Sequence, residues 1–341
     1  MNWWNSPYSL REKIDFFHYR IAHPKEHSSA LPEYGLQNIE KTITLNSTKE
    51  RNFSIIFTGD LMPFGDQPPQ HSERIAQFLR SSDYIVVNLE GVATERKRFL
   101  ALTHRYTPLV SYLKAAFGMQ TILNVANNHS SDFGREVFDI QNQKLRDEGF
   151  VIVGDQPTPL TIEDKVSLFA ATTLSNQFPI INKPQTGDLL TEIHFDTEHT
   201  YNIVMPHWGY EMQLHPTGEQ IETGLKLLSN VCDSVIGNHA HTPHPVYITK
   251  NQVLATSLGN LCYLNRNPNH WFGALVKLTF TIDSSLTKKK PFLAEVEVKY
   301  TKQTLLQDGS IYLDEVAYPD YRAARRTIRF TSKGYIKDLL K

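Results

Sequence analysis

Apolar residues in the central part of the chain fall in short continuous runs, each closed by a small polar cluster. Phe53–Thr58 runs into Gly59-Asp60, Tyr84–Asn88 into Leu89-Glu90, and Thr121–Ala126 into Asn127-Asn128-His129. Tyr201–Met205 ends in Pro206-His207-Trp208-Gly209, Asp233–Gly237 in Asn238-His239-Ala240-His241, and Val253–Ser257 in Leu258-Gly259-Asn260. Runs of this kind predict strands buried on both faces. Segments with helical spacing lie between them: Ser72–Ser81, Pro108–Phe117, Arg135–Glu148 (closed by Gly149) and Thr217–Asn230. Proline at the start of the second is harmless, because the first N–H groups of a helix have no partner. In the last, Thr217 is placed to cap, Gln220 follows three residues later, and Ile221, Leu225 and Leu228 share a face. Phe150–Val153 and Val166–Ala171 read as further strands, and Ala274–Ile282 and Phe292–Thr301 as an antiparallel pair joined by the turn at Lys288–Lys290. The recurring order of strand, loop and helix predicts βαβ units with right-handed crossovers.

The flanks are less regular. Residues 1–50 contain a helical-looking stretch, Leu10–Ile21, and coil from Pro24 to Leu36, and are expected to pack as an extension on a main domain at 51–305. Residues 306–341 are expected to form a closing helix and tail.

Charge narrows the function classes. The 341 residues hold 35 Lys+Arg against 36 Asp+Glu, so the basic excess that neutralises nucleic-acid phosphates is missing and no nucleic-acid partner is expected. No apolar run approaches the roughly 18 residues of a membrane helix. Charge at Arg11, Glu12 and Lys13 interrupts any secretory h-region, which gives a cytoplasmic expectation. Cys232 and Cys262 make no disulfide framework and are expected to be buried, inert thiols.

The 14 histidines change the picture, because several sit beside Asp, Asn and Glu at strand ends. In open α/β sheets the carboxyl ends of strands line the ligand crevice, so Asp60, Glu90, Asn128, His129, His207, His239 and His241 are expected to converge. Each block alone has an ordinary structural use: Gly-Asp as a turn, Asn-Asn-His as an Asx turn, His-Trp-Gly as core packing. The repeated strand-end placement, and two histidines at i and i+2 in one loop, favour ligands. The set exceeds what one four-coordinate zinc takes and suits two divalent ions (Mn, Fe or Zn) with a carboxylate between them. Paired ions polarise a phosphoryl or acyl oxygen and lower the pKa of bound water, which points to hydrolysis.

The ordered blocks resemble the bacterial capsule-synthesis CapA (PGA_cap) family, a branch of the calcineurin-like metallophosphoesterases. They are Thr58-Gly-Asp-Leu-Met62, Val87-Asn-Leu-Glu-Gly91, Val125-Ala-Asn-Asn-His-Ser130 with Asp132-Phe-Gly134, Pro206-His-Trp-Gly-Tyr-Glu211 with Pro216, Gly237-Asn-His-Ala-His241 and Ser257-Leu-Gly-Asn260. The resemblance runs from about residue 53 to 275. It implies a four-layer αββα sandwich of two mixed sheets flanked by helices. It also implies that Asp60 and His241 bind a first metal, that Glu90 takes the bridging place, and that Asn128, His207 and His239 bind a second. His129 would be the general acid or phosphate-orienting group. Asn88, Glu211 and His244 would support the ligands or touch substrate. Two departures stand out: Met62 occupies a position where the superfamily usually carries a ligating histidine, and Glu90 replaces the usual bridging Asp. The expected activity is a metal-activated water attacking a phosphoester or amide/acyl centre of an anionic small-molecule or polymer substrate. The alternative is a non-hydrolytic metal-binding component of poly-γ-glutamate or capsule polymer assembly. Arg96, Lys97, Arg98, His104 and Arg105 form a loop suited either to anion recognition or to plain solvation.

Overall fold

The apolar runs are continuous because both of their faces are covered. In the computed structural model, the description covers residues 13, 36–45, 52–98, 101–118, 120–176, 193, 195–213, 215–249, 251–265, 270–282 and 290–317. Ten strands build the larger sheet. Its main path is β4 (Gln70–His71), β19 (Ile311–Val316), β18 (Phe292–Leu305), β17 (Phe272–Thr281), β3 (Asn52–Leu61), β5 (Tyr84–Leu89), β8 (Thr121–Asn124) and β9 (Val151–Val153). β16 (Asn260–Cys262) adds to β3 and β2 (Thr42–Thr44) to β18. The seven-stranded sheet runs β1 (Gln37–Ile39), β14 (Val246–Thr249), β15 (Gln252–Ala255), β13 (Ser234–Ile236), β12 (Tyr201–His207), β11 (Val166–Thr172) and β10 (Leu160–Ile162). A separate parallel pair joins β6 (Val92–Ala93) to β7 (Thr103–His104).

Alternate residues of each strand divide between two apolar layers. Phe53, Ile55, Phe57, Val86 and Ile122 of the larger sheet meet Leu168, Ala170, Ile203, Met205 and Ile236 of the smaller in one core between the sheets. Ile56, Ile85, Val87 and Leu123 face the other way, onto three helices: α1 (Glu73–Arg80), α2 (Tyr106–Phe117) and α3 (Arg135–Asp147). On the far side α4 (Gly218–Asn230) lays Ile221, Leu227 and Leu228 on Val204, Val235 and Leu254. The expected four layers, α/β/β/α, are thus present.

Helix starts match their capping chemistry. Thr217 and Gln220 form the reciprocal capping box, each side chain accepting from the other's backbone N–H at 3.1 Å. Ser72 caps α1 by accepting from Ile75 N–H, and Pro108 lies in the first turn of α2. The antiparallel pair β17–β18 forms, and β18 continues to Leu305.

The flanks carry strands that the sequence pattern does not place. Residues 37–39 and 42–44 of the expected extension are strands, one added to each sheet. The closing helix expected in 306–341 is replaced at its start by β19, whose alternating burial fits an edge-side strand on β18. The rest of that segment beyond 317, the Leu10–Ile21 stretch apart from residue 13, and most of the lysine turn lie outside the described residues.

Candidate metal centre

Parallel strands of both sheets end at one edge, and their polar tails meet there. Asp60 is the penultimate residue of β3, Glu90 follows β5, Asn128 and His129 follow β8, His207 ends β12, and His239 and His241 lie beyond β13. All seven are buried; His129 is the most accessible at 8%. The 239–241 loop achieves this by strain: both histidines adopt positive φ, 100° and 55°, which turns both rings inward around buried Ala240.

Two groups of ligand atoms emerge, each within 4.8 Å: Glu90 with His207 and His239, and Asp60 with Glu90 and His241. Glu90 belongs to both. In the first group His207 Nε2 lies 3.1 Å from His239 Nδ1 and 2.9 Å from Asn128 Oδ1. In the second, His241 Nδ1 is 3.2 Å from Asp60 Oδ2, and its Nε2 is 3.7 Å from Glu90 Oε1.

Charge distribution fits divalent ions. Neither carboxylate oxygen of fully buried Glu90 has a hydrogen-bond partner among the described residues. A buried carboxylate left this way is costly unless a cation neutralises it. Burial pushes the Glu90 carboxyl well above the usual range; His241 opposes this, while Asp60, Glu211 and Asp132 reinforce it. Burial, and then neighbouring histidines, hold His207 and His239 well below the ordinary imidazole value, in the neutral form that binds metal. For His241 burial acts downward, but the carboxylates of Glu90 and Asp60 prevail and raise it to about 10. The shared carboxylate, a second carboxylate, three imidazoles and an amide oxygen make a mixed O/N donor set of the kind that divalent ions take.

The remaining expected residues occupy distinct places. His129 Nδ1 is 2.7 Å from Asp132 Oδ2, while its Nε2 faces Glu90 Oε1 at 4.0 Å. Asn88 Nδ2 donates to Asp60 Oδ1 at 2.7 Å, so Asn88 orients the carboxylate of the second group. Glu211 is half-buried, and its charge acts on Glu90 and His241. Of the two roles expected of His244, its surroundings favour support over substrate contact. Its ring is fully buried, with Nδ1 2.9 Å from Thr256 Oγ1 and Nε2 3.0 Å from the Gln213 carbonyl, so it braces the loop beyond His241.

The basic loop also sorts out. Arg98 donates to the Asp132 carbonyl at 2.6 Å, Arg105 pairs with Asp66, and His104 is buried against the Glu90 carbonyl at 2.8 Å. Sequence reasoning quoted Asp132 and Asn260 within motifs but gave them no role, and it passed over Asn176, whose amide nitrogen lies 3.2 Å from the His129 ring nitrogens. The i, i+3 spacing of His129 and Asp132 was the one available signal.

The chain is thus a four-layer α/β/β/α sandwich in which two groups of side chains that could hold a metal share one carboxylate at the strand ends. The family model for the bacterial capsule synthesis protein PGA_cap matches residues 54–263, a span containing both groups, and the chain belongs to this family. It is 24% identical over 211 residues to the PGA biosynthesis protein CapA of Bacillus subtilis (strain 168), covering 55% of each chain. To the capsule biosynthesis protein CapA of Bacillus anthracis it is 23% identical over 218 residues, covering 55% of this chain and 52% of that one. The chain thus spans about half the length of these relatives. Among solved structures it is similar to the calcineurin-like phosphoesterase YfkN from Bacillus subtilis, with 11% identity, a TM-score of 0.38, and coverage of 83% of this chain and 99% of that one.

Proposed function

We propose that the protein is a metal-dependent hydrolase acting on a phosphoester or acyl centre of an anionic substrate. The observation that carries this reading is Glu90, buried with both oxygens lacking a hydrogen-bond partner among the described residues and common to two ligand groups. Divalent ions held there would supply Lewis-acid polarisation and an activated water.

The chain's own residues supply the rest. His207, His239, Asn128 and Glu90 would hold one ion, and Asp60, His241 and Glu90 the other. Asp132 fixes Nδ1 of His129 and leaves Nε2 directed at the centre. His129 is therefore placed to give a proton to a leaving group while Asp132 stabilises the imidazolium. Burial of every ligand keeps bulk water from competing for the donors.

The names of its relatives support a second reading: metal-dependent binding of an anionic capsule polymer, such as polyglutamate, without hydrolysis. One experiment separates the two. Metal content is measured on protein purified without chelators, alongside turnover of p-nitrophenyl phosphate and bis(p-nitrophenyl) phosphate with manganese. Two ions per chain with turnover, turnover lost in His129→Ala with metal retained, and metal lost in Glu90→Ala support the hydrolase. Metal and polyglutamate binding with no turnover support the second reading. A chain that takes up no metal even from added manganese refutes both.

A further inference from the structure

Asn260 opens β16, and the parallel register of that strand on β3 sets it opposite Asp60. The approach is close. Asp60 N–H donates to the Gly259 carbonyl at 2.8 Å, and a Cβ on Gly59 would come within 2.3 Å of that oxygen. Asn260 is thereby buried, at 2% exposure, against the ligand loop.

Its amide has one orientation that satisfies its neighbours. Nδ2 donates to the His270 carbonyl at 3.0 Å and lies 3.5 Å from the His241 carbonyl. Reversing the amide would set its oxygen against two carbonyl oxygens. Oδ1 therefore faces His241 Nδ1, at 3.1 Å. Oδ1 only accepts, and so does Asp60 Oδ2 at 3.2 Å from the same nitrogen, so Nδ1 is the ring nitrogen that carries hydrogen. In the neutral ring, the form that binds metal, the lone pair is then on Nε2, the nitrogen facing Glu90. His239 does the opposite, turning Nδ1 toward His207 Nε2 at 3.1 Å.

We propose that Asn260 is a positioning residue of the centre: by holding Nδ1–H of His241 it commits Nε2 of that ring to the ion shared with Asp60 and Glu90. This inference rests on the metal reading above. Groups that orient a ligating histidine through its other nitrogen are typically worth about 10- to 100-fold in metal affinity.

The test uses chelator-stripped full-length protein titrated with Zn2+ by calorimetry, with two-bond 1H–15N spectra of histidine-labelled protein. The wild type is expected to take two ions. N260L is expected to weaken one of them by about 10- to 100-fold and leave the other unchanged. N260D keeps an acceptor for the same N–H but replaces the Nδ2 donor to the His270 carbonyl by an oxygen, so it should lose affinity, though less than N260L. In the zinc-loaded wild type the His241 resonances, assigned with H241Q, should show a protonated Nδ1. Unchanged binding in N260L, equal losses in N260D and N260L, or a metal-bound Nδ1 at His241 would overturn the proposal. If N260L fails to fold, N260D and the wild-type nitrogen shifts decide it. A wild type that takes up no zinc fails differently, since it removes the metal reading itself and this inference with it.

Discussion

By its sequence neighbours His104 belongs to a cationic loop, yet its ring is 3% exposed and donates from Nε2 to the Glu90 carbonyl at 2.8 Å. Burial lowers its pKa to about 4, against a small upward pull from that hydrogen bond. The unfolded chain takes up this proton near pH 6.5 and the folded chain does not. The stability this residue contributes is therefore full above pH 6.5 and lost as pH falls toward 4, by up to about 3 kcal/mol. His71, also lowered to about 4 by burial, has the same sign. Urea unfolding at pH 7 and pH 5 should give a lower midpoint at pH 5, and His104→Gln should flatten part of that slope. An unchanged slope would show that the ring is accessible to protons in the folded protein. The same residue marks the limit of reading a site from sequence. Asp60, Glu90, Asn128, His207, His239 and His241 were legible because each follows an apolar run, and the ends of parallel strands share one edge. The roles of His104 and Asn260 were not, because local composition does not say which way a buried side chain turns.

Elements follow the same division. Long strands and amphipathic helices carry their own period, so β3, β5, β12, β17 and α4 were predicted nearly to their ends. Four of the shortest strands carry none: β1, β4, β10 and β16 exist because a neighbouring strand offers them a ladder. The β16 pairing matters most, since it brings Asn260 to the centre and needs glycine at position 59. Gly59→Ala should cost several kcal/mol, because its Cβ would meet backbone that cannot withdraw. Helix α4 gives a milder comparison. Thr217→Ala removes the hydroxyl that accepts from Gln220 N–H and should cost about 1 kcal/mol. Chemical denaturation of both variants beside wild type tests the pair; equal effects would deny the close β3–β16 contact its importance.

Across the whole molecule the centre joins the two sheets. Glu90 and Asn128 follow strands of the larger sheet, while His207 and His239 come from the smaller. An ion held by all four would tie together layers that, among the described residues, meet largely through apolar side chains. An unfolded chain spreads these residues from position 90 to position 239 and holds no such site, so metal bound there would add directly to the free energy of folding. At about 100 times the dissociation constant the gain is about 2.7 kcal/mol for one ion. For a chain of this size that is a rise in Tm of about 4 °C. Manganese should therefore raise the melting temperature of chelator-treated protein, EDTA should reverse the rise, and His207→Ala should abolish it. Asn230→Ala, on the exposed end of α4 away from the centre, should keep the full shift. A metal-induced rise that survives in His207→Ala would place the ion elsewhere, and the shared carboxylate of Glu90 would then need a different partner.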